Sequence, residues 1–383
     1  MRIIVVISRL CYGGAEHVGV MLANGLARYG NEVIIASNSH ERISYPVDER
    51  VGYYGVFPVT RNKLKKWAGA TINLRKLIKR EQTDVVVGIA ETCSLIAKVA
   101  CLGMRIPVVY TAHNSFERPS SAPMSKWNRF AKFKLGCMYS CVTVLTEADK
   151  SYIGKRLERV SVMPNPLELS PVKVIPDKER VIFAAGRLDA WHVKGFDVLI
   201  KAFSKLVQGL RFKVQGPMQP SSEELIANSG GWKLQIAGTG SEESLNYLKG
   251  LCKENGVEDS VEFLGFQKDI EKLYQKASIF VLSSRYEGFG LVLIEAMSQG
   301  CACIACDYKG RQREIIQNDS QGLCCEPDDV DALAEAMRKM MTDDDYRESV
   351  RMKAVERSEF YSLENTTRRW EELLEKVVKK GVS

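Results

Sequence analysis

The chain has 383 residues, 45% hydrophobic and 26% charged, and contains no run of 18 or more apolar residues. These values exclude a disordered chain and a membrane-spanning helix, and they leave room for two domains of ordinary size, each with its own core. The net charge of +7 is uneven: residues 1–170 hold 24 Lys and Arg against 13 Asp and Glu, leaving 30 against 34 for the remainder, so the first half is the basic one.

The opening MRIIVVIS has too short an apolar run for a signal peptide and no small-residue cleavage site, so it predicts a first strand over 3–7. A helix over 15–29 and strands over 32–36, 51–57, 84–89, 107–111 and 141–145 follow, with helical stretches between. Alternation of this kind implies an α/β protein with a parallel, doubly wound sheet and ligands outside the carboxyl ends of its strands. Residues 163–171 (MPNPLELSP) carry three prolines and neither period, which reads as a linker. The expected domains are therefore 1–165 and 172–360. The second contains a strand over 181–184, a helix over 198–207, and strands over 234–237, 261–264, 277–282 and 303–305, with 213–231 read as a loop or short insertion. A final helix begins at Ser362, with Trp370, Leu373, Leu374 and Val377 as its apolar stripe.

Eleven cysteines in a long chain without an export signal read as reduced thiols of a cytoplasmic protein. Cys301, Cys303 and Cys306 approach a metal-ligand spacing. Their CACIAC segment, however, reads as a buried strand, where thiols act as small hydrophobes, so no metal site is expected.

The stretch 283–314 organises the chemistry. The strand over 277–282 passes through Gly288 and Gly290 into LVLIEAM, a helix, and such a turn points the amides of Phe289, Gly290 and Leu291 outward as an anion site. Glu287 lies on the turn, and Glu295, after seven intervening residues, lies one turn inside the helix. Carboxylates there would repel a bare phosphate but accept hydrogen bonds from hydroxyls, so a phosphorylated sugar or nucleotide sugar fits the pair. The other reading is an ordinary turn with a capping Glu and a surface Glu. Gly13 and Gly14, in LCYGGAEH, either admit a phosphate or sugar or simply make a tight turn. Neither they nor Gly238-Thr239-Gly240 form the dinucleotide fingerprint, which argues against a dehydrogenase. Arg187 and Lys194, in GRLDAWHVKG, offer a diphosphate a fork of donors and a mobile point charge, or are solvated surface cations. His113 closes PVVYTAHN at a strand end, facing a ligand or satisfied within the fold.

EGFG with Glu at the eighth position after the first Glu resembles the Glu-x7-Glu signature of the family 4 retaining glycosyltransferases, which have the GT-B fold. The resemblance covers nearly the whole chain in order: Gly13-Gly14, His113, Gly186-Arg187-Leu188, Lys194-Gly195, then Glu287 to Glu295. It implies two Rossmann-like doubly wound domains facing across a cleft, the first binding acceptor and the second binding nucleotide sugar, with the helix over 361–383 crossing back to the first domain. It further implies that Arg187 and Lys194 hold the donor diphosphate, that Glu287 binds hydroxyls of the transferred sugar, and that Glu295 binds the ribose. Gly13, Gly14, Gly288, Phe289, Gly290 and Leu291 would line the donor site, with His113 beside the reacting carbon. No cofactor is expected beyond the nucleotide-sugar co-substrate, with a UDP-sugar the first candidate. The chain departs from the family at DYKGRQRE, where Lys309, Arg311 and Arg313 precede Glu314 in place of neutral residues. That loop either grips an anionic acceptor or is simply solvated.

Two basic segments remain. Residues 61–80 hold eight basic residues and no acid, with Leu64, Trp67, Leu74 and Ile78 for an apolar side, and residues 124–138 interleave Lys126, Arg129, Lys132 and Lys134 with Trp127, Phe130 and Phe133. Such segments bind anionic membrane surfaces, or pack on the sheet and present solvated charge. Nucleic acid is not an expected partner, because the second half is acidic and no base-reading module occurs. The expected activity is retaining transfer of a hexose or N-acetylhexosamine to a lipid-linked or glycolipid acceptor at the inner membrane face. The alternatives are a soluble or polysaccharide acceptor, a phosphorylase or epimerase of the same architecture, and a non-catalytic sugar-binding protein.

Overall fold

A computed structural model of the chain describes residues 1–11, 13–38, 44–119, 123–211 and 231–382 and divides into two compact units, Met1–Glu168 with Tyr361–Ser383, and Leu169–Phe360. In the first unit, seven strands run β1 (Arg2–Val6), β2 (Glu32–Ser37), β3 (Gly52–Gly55), β4 (Val85–Ile89), β5 (Val108–Thr111), β6 (Cys141–Val144) and β7 (Val160–Val162). They lie in the order β3-β2-β1-β4-β5-β6-β7, all parallel. The crossovers carry α1 (Gly14–Arg28), α2 (Lys63–Arg80), α3 (Ala90–Ala100), α4 (Lys126–Phe133) and α5 (Glu147–Ile153). β4 and β5 are buried at every residue. Helices cover both faces of a parallel sheet, so VVVGI and VVYT are continuous apolar runs with no alternation.

The second unit repeats the plan. Its strands are β8 (Glu179–Ala185), β9 (Lys233–Ala237), β10 (Val261–Gly265), β11 (Ala277–Leu282), β12 (Ala302–Cys306) and β13 (Leu323–Cys325), in the parallel order β10-β9-β8-β11-β12-β13. Its helices are α6 (Trp191–Lys194), α7 (Phe196–Arg211), α8 (Glu242–Glu254), α9 (Ile270–Lys276), α10 (Leu291–Ser298), α11 (Val330–Thr342) and α12 (Asp344–Ser358). The last helix, α13 (Leu363–Val382), belongs to the first unit. It buries Trp370, Leu374 and Val377 in the core formed by β1, β2 and α1. Gly25 of α1 makes this possible, since a Cβ there would stand 2.2 Å from Thr367 Oγ1.

Some elements differ from expectation. β7 and β13 were not anticipated; both are three-residue edge strands, too short to display a period of two. In the stretch read as a linker, Met163, Asn165 and Leu167 are buried, and Leu167 N donates to Tyr361 O at 2.7 Å. The loop or insertion expected over 213–231 lies outside the described residues except for Gly231. Cys301, Cys303 and Cys306 are buried, and the Cys301 thiol donates to the Tyr274 carbonyl. Among the described residues no group of three His, Cys, Asp or Glu is arranged to hold a metal ion, and no helix is long and apolar enough to cross a membrane.

In each sheet the order reverses once, between β1 and β4 and between β8 and β11. Connections leave in opposite directions there, opening a crevice at the carboxyl edge where open α/β sheets bind ligands.

Candidate functional site

In the second unit, glycines draw the loops after β8, β9 and β11 together at the switch point. A Cβ on Gly238 would stand 1.8 Å from the Gly186 carbonyl oxygen, and a Cβ on Gly195, at φ +64°, would stand 1.9 Å from that of Ser283. Only glycine fits either contact. Gly186 in turn leaves room for the Lys194 methylenes, which pass 3.2 Å from where its Cβ would be. The loops are then bonded to one another: Ser283 Oγ donates to Lys194 O (2.8 Å) and Arg285 N donates to Val193 O (2.9 Å). The Arg285 guanidinium donates to both oxygens of Asp197 (2.7 and 2.8 Å), to Asp328 (2.5 Å) and to the His192 carbonyl. Burial, the largest single influence, would raise the Asp197 pKa, but the bonds and charge of Arg285 together with the amides of Asp197 and Val198 hold that carboxyl below its ordinary value.

With the backbone so fixed, Lys194 Nζ lies 2.6 Å from Glu287 Oε1, which also accepts Ser284 Oγ at 2.8 Å. The two side chains are 23% and 17% exposed, screened from bulk water yet still open to a ligand. Gly290, at φ +105°, starts α10 without a side-chain cap, so no side chain of the cap residue competes for the first amides. The Glu295 carboxylate, one turn inside, accepts Tyr274 OH at 2.9 Å. Burial and then Glu295 push that phenol well above its usual pKa, so it remains a donor. Arg187 is exposed, at the turn that follows β8. Nearby, Asp189 accepts Ser241 N (2.7 Å) and Ser244 Oγ (3.0 Å), which, with the Arg187 charge, lower its pKa.

The loop 307–314 corrects an expectation. Arg311 is fully buried, not solvated, and donates to Tyr308 O at 3.3 Å while lying over the Tyr308 ring. Asp307 organises the turn, accepting from the amides of Gly310 (2.9 Å), Gln312 (2.8 Å) and Arg313 (3.1 Å). One carboxylate thus orders a loop whose sequence shows mainly its cations.

In the first unit, the space at Gly13 is taken by the chain itself: a Cβ there would stand 2.1 Å from Glu16 Oε2, whereas at Gly14 it would meet nothing within 4 Å. The open approach is therefore at Gly14. His113 follows β5. Thr111 Oγ1 donates to Gly88 O (3.0 Å), so it accepts from His113 Nε2 (3.0 Å), which assigns the ring proton to Nε2. Burial pushes His113 down to about 4, offset only in part by Asn165 and Glu91. The ring is neutral at physiological pH.

Lys194 and Glu287 are thus brought into direct contact, while Glu295 is anchored by Tyr274. Arg285, Asp197, Tyr274 and Glu16 were missed from sequence. Glu16 had no readable signal, since its partner Ser8, whose Oγ donates to Glu16 Oε1 at 3.3 Å, lies on the other side of the turn. Arg285 had none, because its partner Asp197 lies 88 residues away.

The chain matches the family model described as Glycosyltransferase Family 4 over residues 12–170 and that described as Glycosyl transferases group 1 over residues 167–357. It is 26% identical, over 98% of this chain and 99% of the relative, to the GalNAc-alpha-(1->4)-GalNAc-alpha-(1->3)-diNAcBac-PP-undecaprenol alpha-1,4-N-acetyl-D-galactosaminyltransferase of Campylobacter jejuni. Among solved structures, sucrose-phosphate synthase from Thermosynechococcus elongatus superposes with a TM-score of 0.78 at 17% identity, covering 99% of each chain. Anabaena HepE in complex with UDP and glucose gives a TM-score of 0.74 at 18% identity, covering 97% of this chain and 99% of that one. With both family models matched in sequence order and the GT-B fold shared along the chain, this protein belongs to the family 4 glycosyltransferases.

Proposed function

We propose that this glycosyltransferase moves a hexose or N-acetylhexosamine from a nucleotide diphosphate sugar, a UDP-sugar first, to a lipid-linked acceptor at the inner membrane face, with retention of configuration. The observation that carries the reading is the 2.6 Å pair of Lys194 and Glu287 beside the uncapped start of α10. Glu287 binds hydroxyls of the transferred sugar. Lys194, Arg187 and the amides of Phe289 to Leu291 neutralise the diphosphate as its bond to sugar breaks, so no metal is called on. Glu295, held by Tyr274, takes the ribose. Neutral His113 meets a hydroxyl near the reacting carbon without adding charge.

No carboxylate is assigned as a covalent nucleophile. The acceptor oxygen bonds to the anomeric carbon from the face that the diphosphate leaves. The departing phosphate keeps the electron pair of the broken C–O bond and takes the acceptor's proton.

The Campylobacter relative, whose name places its acceptor on undecaprenol diphosphate, and the basic α2 and α4 support a lipid-linked acceptor. The UDP complex of HepE supports the choice of base. The test is incubation with UDP-, GDP- and ADP-sugars and a polyprenyl diphosphate-linked glycan, with the product anomer read by NMR. Turnover of a UDP-sugar onto the lipid with retained configuration is expected. Turnover onto soluble sugars alone would replace the lipid acceptor, and inversion or dependence on inorganic phosphate would overturn the mechanism.

A further inference from the structure

The first unit contains a cavity of about 190 Å³ between α2, α3 and α4. Trp67 and Ala68 line it from α2, Leu95 and Val99 from α3, and Trp127 and Ala131 from α4, with Glu91 and Tyr110 at its polar end. Among the lining side chains Trp67 is 39% exposed and Trp127 57%, and the same helices expose Leu64 (75%) and Phe130 (46%). Of the apolar side expected for α2, Leu74 and Ile78 do belong to the core, but Leu64 and Trp67 do not. The exposed cations Lys63 and Lys65 of α2 and Lys126 of α4 stand close in sequence to the lining residues Trp67 and Trp127, and neither helix carries an acidic residue.

The polar end is built. Lys132, expected on the surface, is buried at 2% exposure; its Nζ donates to Asn114 O (2.8 Å) and Ser115 O (3.1 Å) and lies 3.6 Å from Glu91 Oε1. Glu91 sits in the first turn of α3, immediately after β4 at the switch point of this sheet, and its charge is felt at His113. Glu91 thus sets one end of the cavity at the carboxyl edge of the sheet.

We propose that this cavity holds the first segment of the hydrocarbon chain of a polyprenyl diphosphate-linked acceptor, with the diphosphate against the cations of α2 and α4. The inference rests on the lipid-linked acceptor proposed above and names the site that recognises it. The size fits: an engineered apolar cavity of about 150 Å³ holds one benzene, so this one takes about one isoprene unit, and the rest of the chain remains in the lipid. Apolar burial supplies affinity and the cations of these helices complement the anionic head. An acyl chain of an ordinary phospholipid would bring no diphosphate to those cations.

The probe is geranyl diphosphate, which is soluble and carries both features, titrated calorimetrically into the full chain. Wild type is expected to bind it at least about tenfold more tightly than inorganic pyrophosphate, and Ala131→Trp, which fills the cavity, is expected to lose about tenfold or more. UDP-sugar binding in the same variant should be unchanged, which also reports that it folds. Leu95→Ala serves as a second variant and should weaken geranyl diphosphate without affecting pyrophosphate. Equal affinity for the two probes, or unaltered geranyl diphosphate binding in both variants, would overturn the proposal. If UDP-sugars are turned over while geranyl diphosphate does not bind, the cavity assignment fails and glycosyl transfer stands. If geranyl diphosphate binds and no nucleotide sugar does, the converse holds.

Discussion

His113 shows how a single side chain combines legible and hidden information. Its place at a strand end was readable from PVVYTAHN, but its neutrality depends on packing that no local pattern reveals. With burial holding the folded-state pKa near 4, against an ordinary value of about 6.5, the unfolded chain binds the extra proton between those values. Stability therefore rises with pH across that window and is lost as pH falls through it, by on the order of 3 kcal/mol at the low end. Thermal melts between pH 7 and pH 4.5 should show a steeper fall for wild type than for His113→Gln; matched slopes would place the ring in solvent. Glu287 and Glu295 were legible because their spacing is local. The burial of Lys132 was not, because its partners Asn114, Ser115 and Glu91 lie far away in the chain.

Among elements, the two loops that frame Lys194 are held by backbone contacts that a methyl group would break. Gly195→Ala puts a Cβ against the Ser283 carbonyl at positive φ and should cost at least about 2 kcal/mol. Gly14→Ala meets open space and should leave stability within about 0.5 kcal/mol, while slowing turnover if substrate approaches there. Urea denaturation of both variants, with turnover measured alongside, separates the two roles. Arg285→Ala strands Asp197, whose side chain is only 12% exposed, at a cost of about 3–5 kcal/mol. The double variant with Asp197→Asn should recover part of that loss, and a purely additive double variant would deny the coupling. The buried parallel strands were readable as apolar runs, and the helix after Gly290 as a glycine-led start. The three-residue edge strands were hidden, since their pairing and not their composition makes them strands.

For the molecule as a whole, the charge asymmetry between halves was plain in the sequence, and the doubly wound plan followed from alternating runs. The membrane role proposed for the basic half rests on its exposed side chains. Lys63, Lys65, Lys126 and Arg129 remain exposed beside Leu64, Trp127 and Phe130, a combination suited to an anionic lipid surface at about 1 kcal/mol per cation. Sedimentation with phosphatidylglycerol vesicles should be strong at low salt and fall at high salt, and indifference to lipid charge would remove the membrane from the account. In the second unit Lys194 and Glu287 meet at 2.6 Å. Turnover of the preferred nucleotide sugar by Lys194→Ala and Glu287→Gln tests the role proposed for this pair most directly. Each loses a charge-assisted contact of about 1.5–3 kcal/mol, so each should be slower by roughly 10- to 150-fold with its melting temperature kept. Turnover equal to wild type in both would contradict the assignment.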